Sequence, residues 1–312
     1  MRRFKDYLFL YIKGIGMGGA DVIPGVSGGT IAFITGIYEE LIESIKNIDA
    51  DALAYLKKFD FSSFWKKING SFLIAVFTGV ITSLLSLAKL MGFLLATYPI
   101  PVWSFFFGLI LISSPLILRE VKKWSFAIVL SGISGIAIAY WITVISPSQT
   151  PSNLFFIFFC GVLAICAMIL PGISGAFILL LLGKYEYMIQ ALIEFNIPVV
   201  LVFMAGCIVG ILSFSRFLSW ILKHYRFPTL ALLAGFMLGS LNKVWPWKEV
   251  VSFRLNHAGQ QVPAFDQSIW PGQYLEKTGN DPLIFQSILF VALGVLIVVF
   301  VEKLAGALKT KP

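Results

Sequence analysis

Apolar residues in this chain fall into long runs parted by short polar stretches. Six runs meet or approach the roughly 20 residues that a helix needs to cross hydrocarbon: 71–97, 101–118, 124–145, 198–222, 228–243 and 283–301. Two more stretches, 8–45 and 153–194, are apolar but broken midway by glycine and proline. Their breaks read Ile23-Pro24-Gly25-Val26-Ser27-Gly28-Gly29 and Leu170-Pro171-Gly172-Ile173-Ser174-Gly175. The pattern predicts six spanning helices and two interrupted helical hairpins.

The two interrupted stretches match each other. Residues 24–42 set against 171–189, an offset of 147, give nine identities in 19, including Pro24/Pro171, Ser27/Ser174, Gly36/Gly183, Tyr38/Tyr185 and Glu39/Glu186. Apolar bias does not produce matched Pro, Ser, Tyr and Glu. At an offset of 127 the match resumes with Gly79/Gly206, Ser86/Ser213, Tyr98/Tyr225, Pro101/Pro228 and Gly108/Gly235, and Lys89 falls opposite Arg216. The chain therefore reads as two copies, 1–146 and 147–312, each with one hairpin and three spans. A hairpin makes no net crossing and three spans make an odd number. The second copy is thus expected to be inverted, giving an all-α integral membrane protein of two inverted repeats with re-entrant hairpins.

Composition agrees. Hydrophobic residues make up 58% of the 312 and charged residues 13%, against about 25% charged in a soluble domain. The net charge of +8 would suit nucleic acid if it were gathered in one patch, but it follows topology instead. With the N-terminus inside, 17 Lys and Arg fall in cytoplasmic segments and five outside: Lys184, Lys243, Lys248, Arg254 and Lys277. That bias predicts cytoplasmic N- and C-termini and excludes a nucleic-acid surface. Cys160, Cys166 and Cys207 lie in apolar runs without metal spacing and read as small buried hydrophobes. The first apolar stretch is too short, and lacks the cleavage site, for a signal peptide. Segment 244–282, with Trp245, Trp247, Trp270 and Tyr274, reads as a structured loop on the outer leaflet, or as a substrate gate.

The breaks carry the candidate chemistry. Proline ends a helix, glycine frees the backbone, and Ser27 or Ser174 can cap the helix that follows. The expected product is a half-helix whose N–H groups converge at membrane depth, an arrangement that attracts anions. Gly25, Ser27, Gly28, Gly29, Thr30, Gly172, Ser174 and Gly175 are the candidate substrate-binding residues; a plain packing kink is the alternative. Lys89 and Arg216, each a cation inside a span, join them as expected interior partners of a phosphate or carboxylate, unless they snorkel to the surface. Asp21, whose counterpart is Met168, and the pair Glu39 and Glu186 are candidates for coupling or gating; the alternatives are a structural hydrogen bond between Asp21 and the loop backbone and interfacial anchoring by the two glutamates. Neither a metal nor another cofactor is expected.

The run Gly19-Ala20-Asp21-Val22-Ile23-Pro24-Gly25-Val26-Ser27-Gly28-Gly29-Thr30 with Tyr38-Glu39, and its partner Leu170–Gly175, resembles a bacterial membrane family long called a domain of unknown function, the PopT-type polyprenyl-phosphate transporters. The resemblance covers nearly the whole chain. It implies a carrier that returns undecaprenyl phosphate from the outer to the inner leaflet of the cytoplasmic membrane for cell-envelope synthesis, with a polyprenyl phosphate lipid as its partner. The residues alone leave two other readings open. One is a secondary transporter of a small water-soluble anion. The other, a membrane lipid phosphatase, would need a nucleophile with its base or a metal-ligand cluster. The oligomeric state is left open.

Overall fold

The computed structural model describes residues 2–22, 26–145, 150–255 and 261–309; of 88, 254–255, 261–265 and 304–309 only the backbone is described. The order of helices is α1 (Phe4–Asp21), α2 (Gly28–Ile34), α3 (Tyr38–Lys46), α4 (Ala50–Lys57), α5 (Phe61–Lys67), α6 (Gly70–Thr97), α7 (Pro99–Leu118), α8 (Phe126–Val144), α9 (Leu154–Ile169), α10 (Gly175–Leu181), α11 (Tyr185–Ile193), α12 (Ile197–His224) and α13 (Arg226–Ser240). Strands β1 (Lys248–Leu255) and β2 (Gln261–Ser268), then α14 (Pro271–Thr278) and α15 (Ile284–Lys309), complete the chain. Among the described residues, five helices are long and apolar enough to cross a membrane: α6, α7, α8, α12 and α15. The run at 228–243 yields only the 15-residue α13.

Each hairpin differs from the expected pair of continuous arms. After the break comes a seven-residue half-helix, α2 or α10. A second bend then follows at Gly36 (φ +71°) or Gly183 (φ +62°), in the left-handed region that glycine enters without a Cβ penalty. The bend between α10 and α11 is 106°. Beyond the bend at Gly36, α3 buries Tyr38, Leu41, Ile42 and Ile45, a spacing that marks one helical face. Its Glu39, Glu40, Glu43 and Lys46 form the polar remainder.

Helix packing explains several of the matched glycines. In the α1–α6 crossing, a side chain at Gly14 would meet the Val76 carbonyl and one at Gly79 the Tyr11 carbonyl. In the α9–α12 crossing, Gly161 meets the Phe203 carbonyl and Gly206 that of Phe158. Backbones this close need glycine on both helices, the small-residue packing of membrane proteins. The next pairs are exchanged between the copies. Gly108 of α7 lies on Val291 of α15 and Gly294 on Phe105, while Gly135 of α8 lies on Leu232 of α13 and Gly235 on Gly132.

Ion pairs mark one end of the molecule: Arg2–Glu40, Lys223–Glu43, Arg226–Glu39 and Arg119–Glu302. At Glu43, burial pulls the carboxyl upward, but bonds from Lys223, Ser219 and Lys46 outweigh it and hold the group at about 2. The opposite end holds the insertion that follows α13. It is an antiparallel hairpin, a departure from the all-α expectation, with Lys248 paired to Ser268 and Val250 to Asp266. Trp247 is buried with Ile100 and Ile269, and its indole donates to the Pro282 carbonyl at 2.7 Å. It therefore holds the insertion together. Trp270 is exposed.

Candidate functional site

The first break closes on itself. Asp21, the last residue of α1, turns its carboxylate to the start of α2, where Oδ1 accepts the Gly28 N–H at 2.7 Å. The Ser27 hydroxyl accepts the Gly29 N–H at 3.1 Å and donates to the Met168 carbonyl at 3.0 Å. The Thr30 N–H is taken by the Ser27 carbonyl. The N–H groups expected to be free at this half-helix are therefore held by the protein. Ser27 and Thr30 are fully buried, as the Asx- and Ser-capping chemistry of these short side chains requires when water is excluded.

The two breaks touch. Besides the Ser27–Met168 bond, the Thr30 hydroxyl accepts the Gly172 N–H at 2.8 Å. Gly29 faces the end of α9, where a Cβ would come within 2.6 Å of the Ile169 carbonyl. The second break is furnished differently. Gly172 (φ +84°) lies against Phe236 and Ser240 of α13, and no side chain caps α10, so Ser174 does not play the part expected of it. Beside it is a small cavity lined by residues including Thr143, Gly172, Ser174, Phe177 and Lys243, with room for about one water (≈ 10 Å³).

Of the residues singled out from sequence, Ser27, Gly28, Gly29, Thr30, Gly172, Ser174 and Gly175 are all buried at or beside the meeting breaks. Gly25 lies outside the described residues. Glu39 pairs with Arg226 at 2.9 Å, and the same guanidinium reaches Glu120 at 3.0 Å. Glu186 sits in the first turn of α11. Lys89 and Arg216 are exposed on α6 and α12, so the interior position expected for them is not met. The Arg216 guanidinium donates to the Leu212 carbonyl at 2.9 Å and the Ile48 carbonyl at 3.3 Å. A long side chain can run along its helix to polar ground in this way.

Sequence reasoning missed a third group. Lys243 Nζ lies 2.7 Å from Asp266 Oδ1 and Lys248 Nζ 3.6 Å from Oδ2. The register that pairs Val250 with Asp266 puts Lys248, two residues away, on the same face. Lys243 sits 4.7 Å over the Phe177 ring and Lys248 3.8 Å over the Trp103 ring. Burial pushes the Lys248 ammonium down to about 8; Asp266 opposes that fall and Lys243 adds to it. Burial likewise pulls Asp266 upward, but the charges of Lys248 and Lys243 hold its carboxyl below the usual range. The signal in the sequence was two lysines five residues apart after an apolar run, which read simply as loop charge.

Comparison with known proteins agrees with the sequence resemblance. The profile of a family described as VCA0040-like, undecaprenyl phosphate translocase-like, matches residues 17–262. A polyprenyl-phosphate transporter of Vibrio cholerae serotype O1 is 46% identical over 300 residues, covering 96% of this chain and 97% of the relative. A polyprenyl-phosphate transporter of Staphylococcus aureus is 35% identical over 264 residues, covering 79% of this chain and 88% of the relative. No solved structure matches the chain.

Proposed function

The chain belongs to the undecaprenyl phosphate translocase-like family, and from that premise we propose that it carries polyprenyl phosphate across the cytoplasmic membrane. The observation that carries the reading is the contact between the two breaks, Ser27 to Met168 and Thr30 to Gly172. Irregular backbone at membrane depth is tolerated only inside protein or along a watery path. Two such breaks meeting edge to edge divide the molecule where a polar head has to pass.

In this reading the copies are inverted repeats and present related half-sites to the two leaflets in turn. The lipid moves from the outer to the inner leaflet for reuse, and both chain termini are cytoplasmic. The phosphate travels between the breaks while the prenyl tail stays in lipid. Lys89 and Arg216, exposed at equivalent places on two spans, collect the anionic head from the lipid side. Glu39, through its pair with Arg226, and Glu186 act as gates at opposite ends.

Reconstitution tests this directly. In vesicles carrying a fluorescent short-chain polyprenyl phosphate, the purified chain should speed exchange between leaflets and leave inorganic phosphate where it is. Movement of inorganic phosphate with no lipid exchange would overturn the lipid reading.

A further inference from the structure

We propose that Lys243 and Lys248 form the phosphomonoester site at the end of the molecule that carries β1 and β2, with Asp266 as the counter-ion that the phosphate displaces. This rests on the reading of the chain as a polyprenyl-phosphate carrier and assigns the head group a place in it.

Charge is the first argument. Two lysines share one carboxylate, which leaves an excess of one positive charge. Both ammonium groups are withdrawn from water, with side chains only 15% and 12% exposed. One lysine would satisfy Asp266 as a structural pair. The second enclosed cation, Lys248, donates to the Lys243 carbonyl at 2.7 Å, which occupies a proton but leaves the positive charge without a counter-charge of its own. A phosphomonoester carries about −1.5 to −2 charges, which matches the two lysines once Asp266 withdraws.

Position is the second argument. Lys243 lines the cavity beside the second break, together with Gly172, Ser174 and Phe177. The Phe177 and Trp103 rings stand against the two ammonium groups. They supply apolar walls for the first carbons of a prenyl chain while strengthening the charges they exclude from water. Those walls come from α10 and α7, and the cations from the insertion and its root. The site therefore joins parts of both copies beside their point of contact. The cavity is close to the size of one water, so the phosphate enters as Asp266 gives way.

The test uses the purified full-length chain in detergent with three probes: farnesyl phosphate, farnesol and inorganic phosphate. The parent should bind farnesyl phosphate well above the other two. Lys243→Gln, which leaves the Lys248–Asp266 pair intact, should weaken that binding by at least about tenfold. Lys243→Arg should stay within about threefold of the parent, and all variants should melt near the parent temperature. If Lys243→Gln melts like the parent and binds farnesyl phosphate equally well, the site assignment is overturned and the transport reading stands. If it melts early, loss of binding in Lys248→Gln with the melt retained supports the site, and parental binding there overturns it. If the parent takes inorganic phosphate as tightly as farnesyl phosphate, and Lys243→Gln loses both, the anion site is upheld and the lipid reading fails. A parent that binds none of the probes overturns both.

Discussion

At the first break Asp21 holds the Gly28 N–H and Ser27 caps Gly29. At the second, Met168 stands where Asp21 does, and Ser174 caps nothing. Position 29 is glycine pressed on the Ile169 carbonyl; its counterpart, Ala176, already carries a Cβ. One copy of the motif has supplied its own anion and its own cap. The other leaves these places open and has a pair of lysines nearby. A duplicated motif can thus diverge, with one break furnished with its own cap and counter-charge and the other left without them.

Three pairs of substitutions probe that contrast. The largest effect is expected from Gly29→Val, which forces a side chain into backbone that cannot retreat. Overpacking of this kind costs about 1–3 kcal/mol or more, and folded protein recovered from membranes should fall sharply. Ala176→Val should be recovered nearly as well as the parent; equal losses from both would erase the distinction between the breaks. Next is Asp21→Ala, which orphans the Gly28 N–H and should cost about 1–3 kcal/mol, read as a lowered melting temperature in detergent. Met168→Ala should leave the melt nearly unchanged, and Asp21→Asn, which keeps an acceptor oxygen, should recover most of the loss. The smallest contrast is Ser27→Ala, at about 0.5–2 kcal/mol for a lost cap, against a smaller loss for Ser174→Ala, which removes no cap. A Ser174 variant as unstable as the Ser27 variant would mean that the second break is closed too.

Much of the architecture was legible because a repeat compares the chain with itself. The offset of 147 carries the start of α2 at Gly28 to the start of α10 at Gly175. The offset of 127 carries α6 to α12, both 28 residues long. The bends at Gly36 and Gly183 were visible as identities, but an identity does not state which backbone angle it serves. The pattern also promoted Lys89 and Arg216 for being equivalent, while side-chain length let Arg216 turn to the Ile48 carbonyl. The lysine pair was hidden for the opposite reason. Lys243 and Lys248 have no counterpart in the first copy, and their meeting with Trp103, Phe177 and Asp266 joins places far apart in sequence that no local period records.

The exchange of helices between the copies also bears on how the protein is made. Among the described residues, α7 finds its glycine partner in α15, where Gly108 meets Val291. At roughly 5–20 residues per second of synthesis, α7 stands without that partner for on the order of 10–40 s. Throughout that interval the half-built protein offers a bare backbone groove to any neighbouring span in the membrane. The insertion machinery, or lipid alone, has to keep that groove unoccupied until α15 emerges.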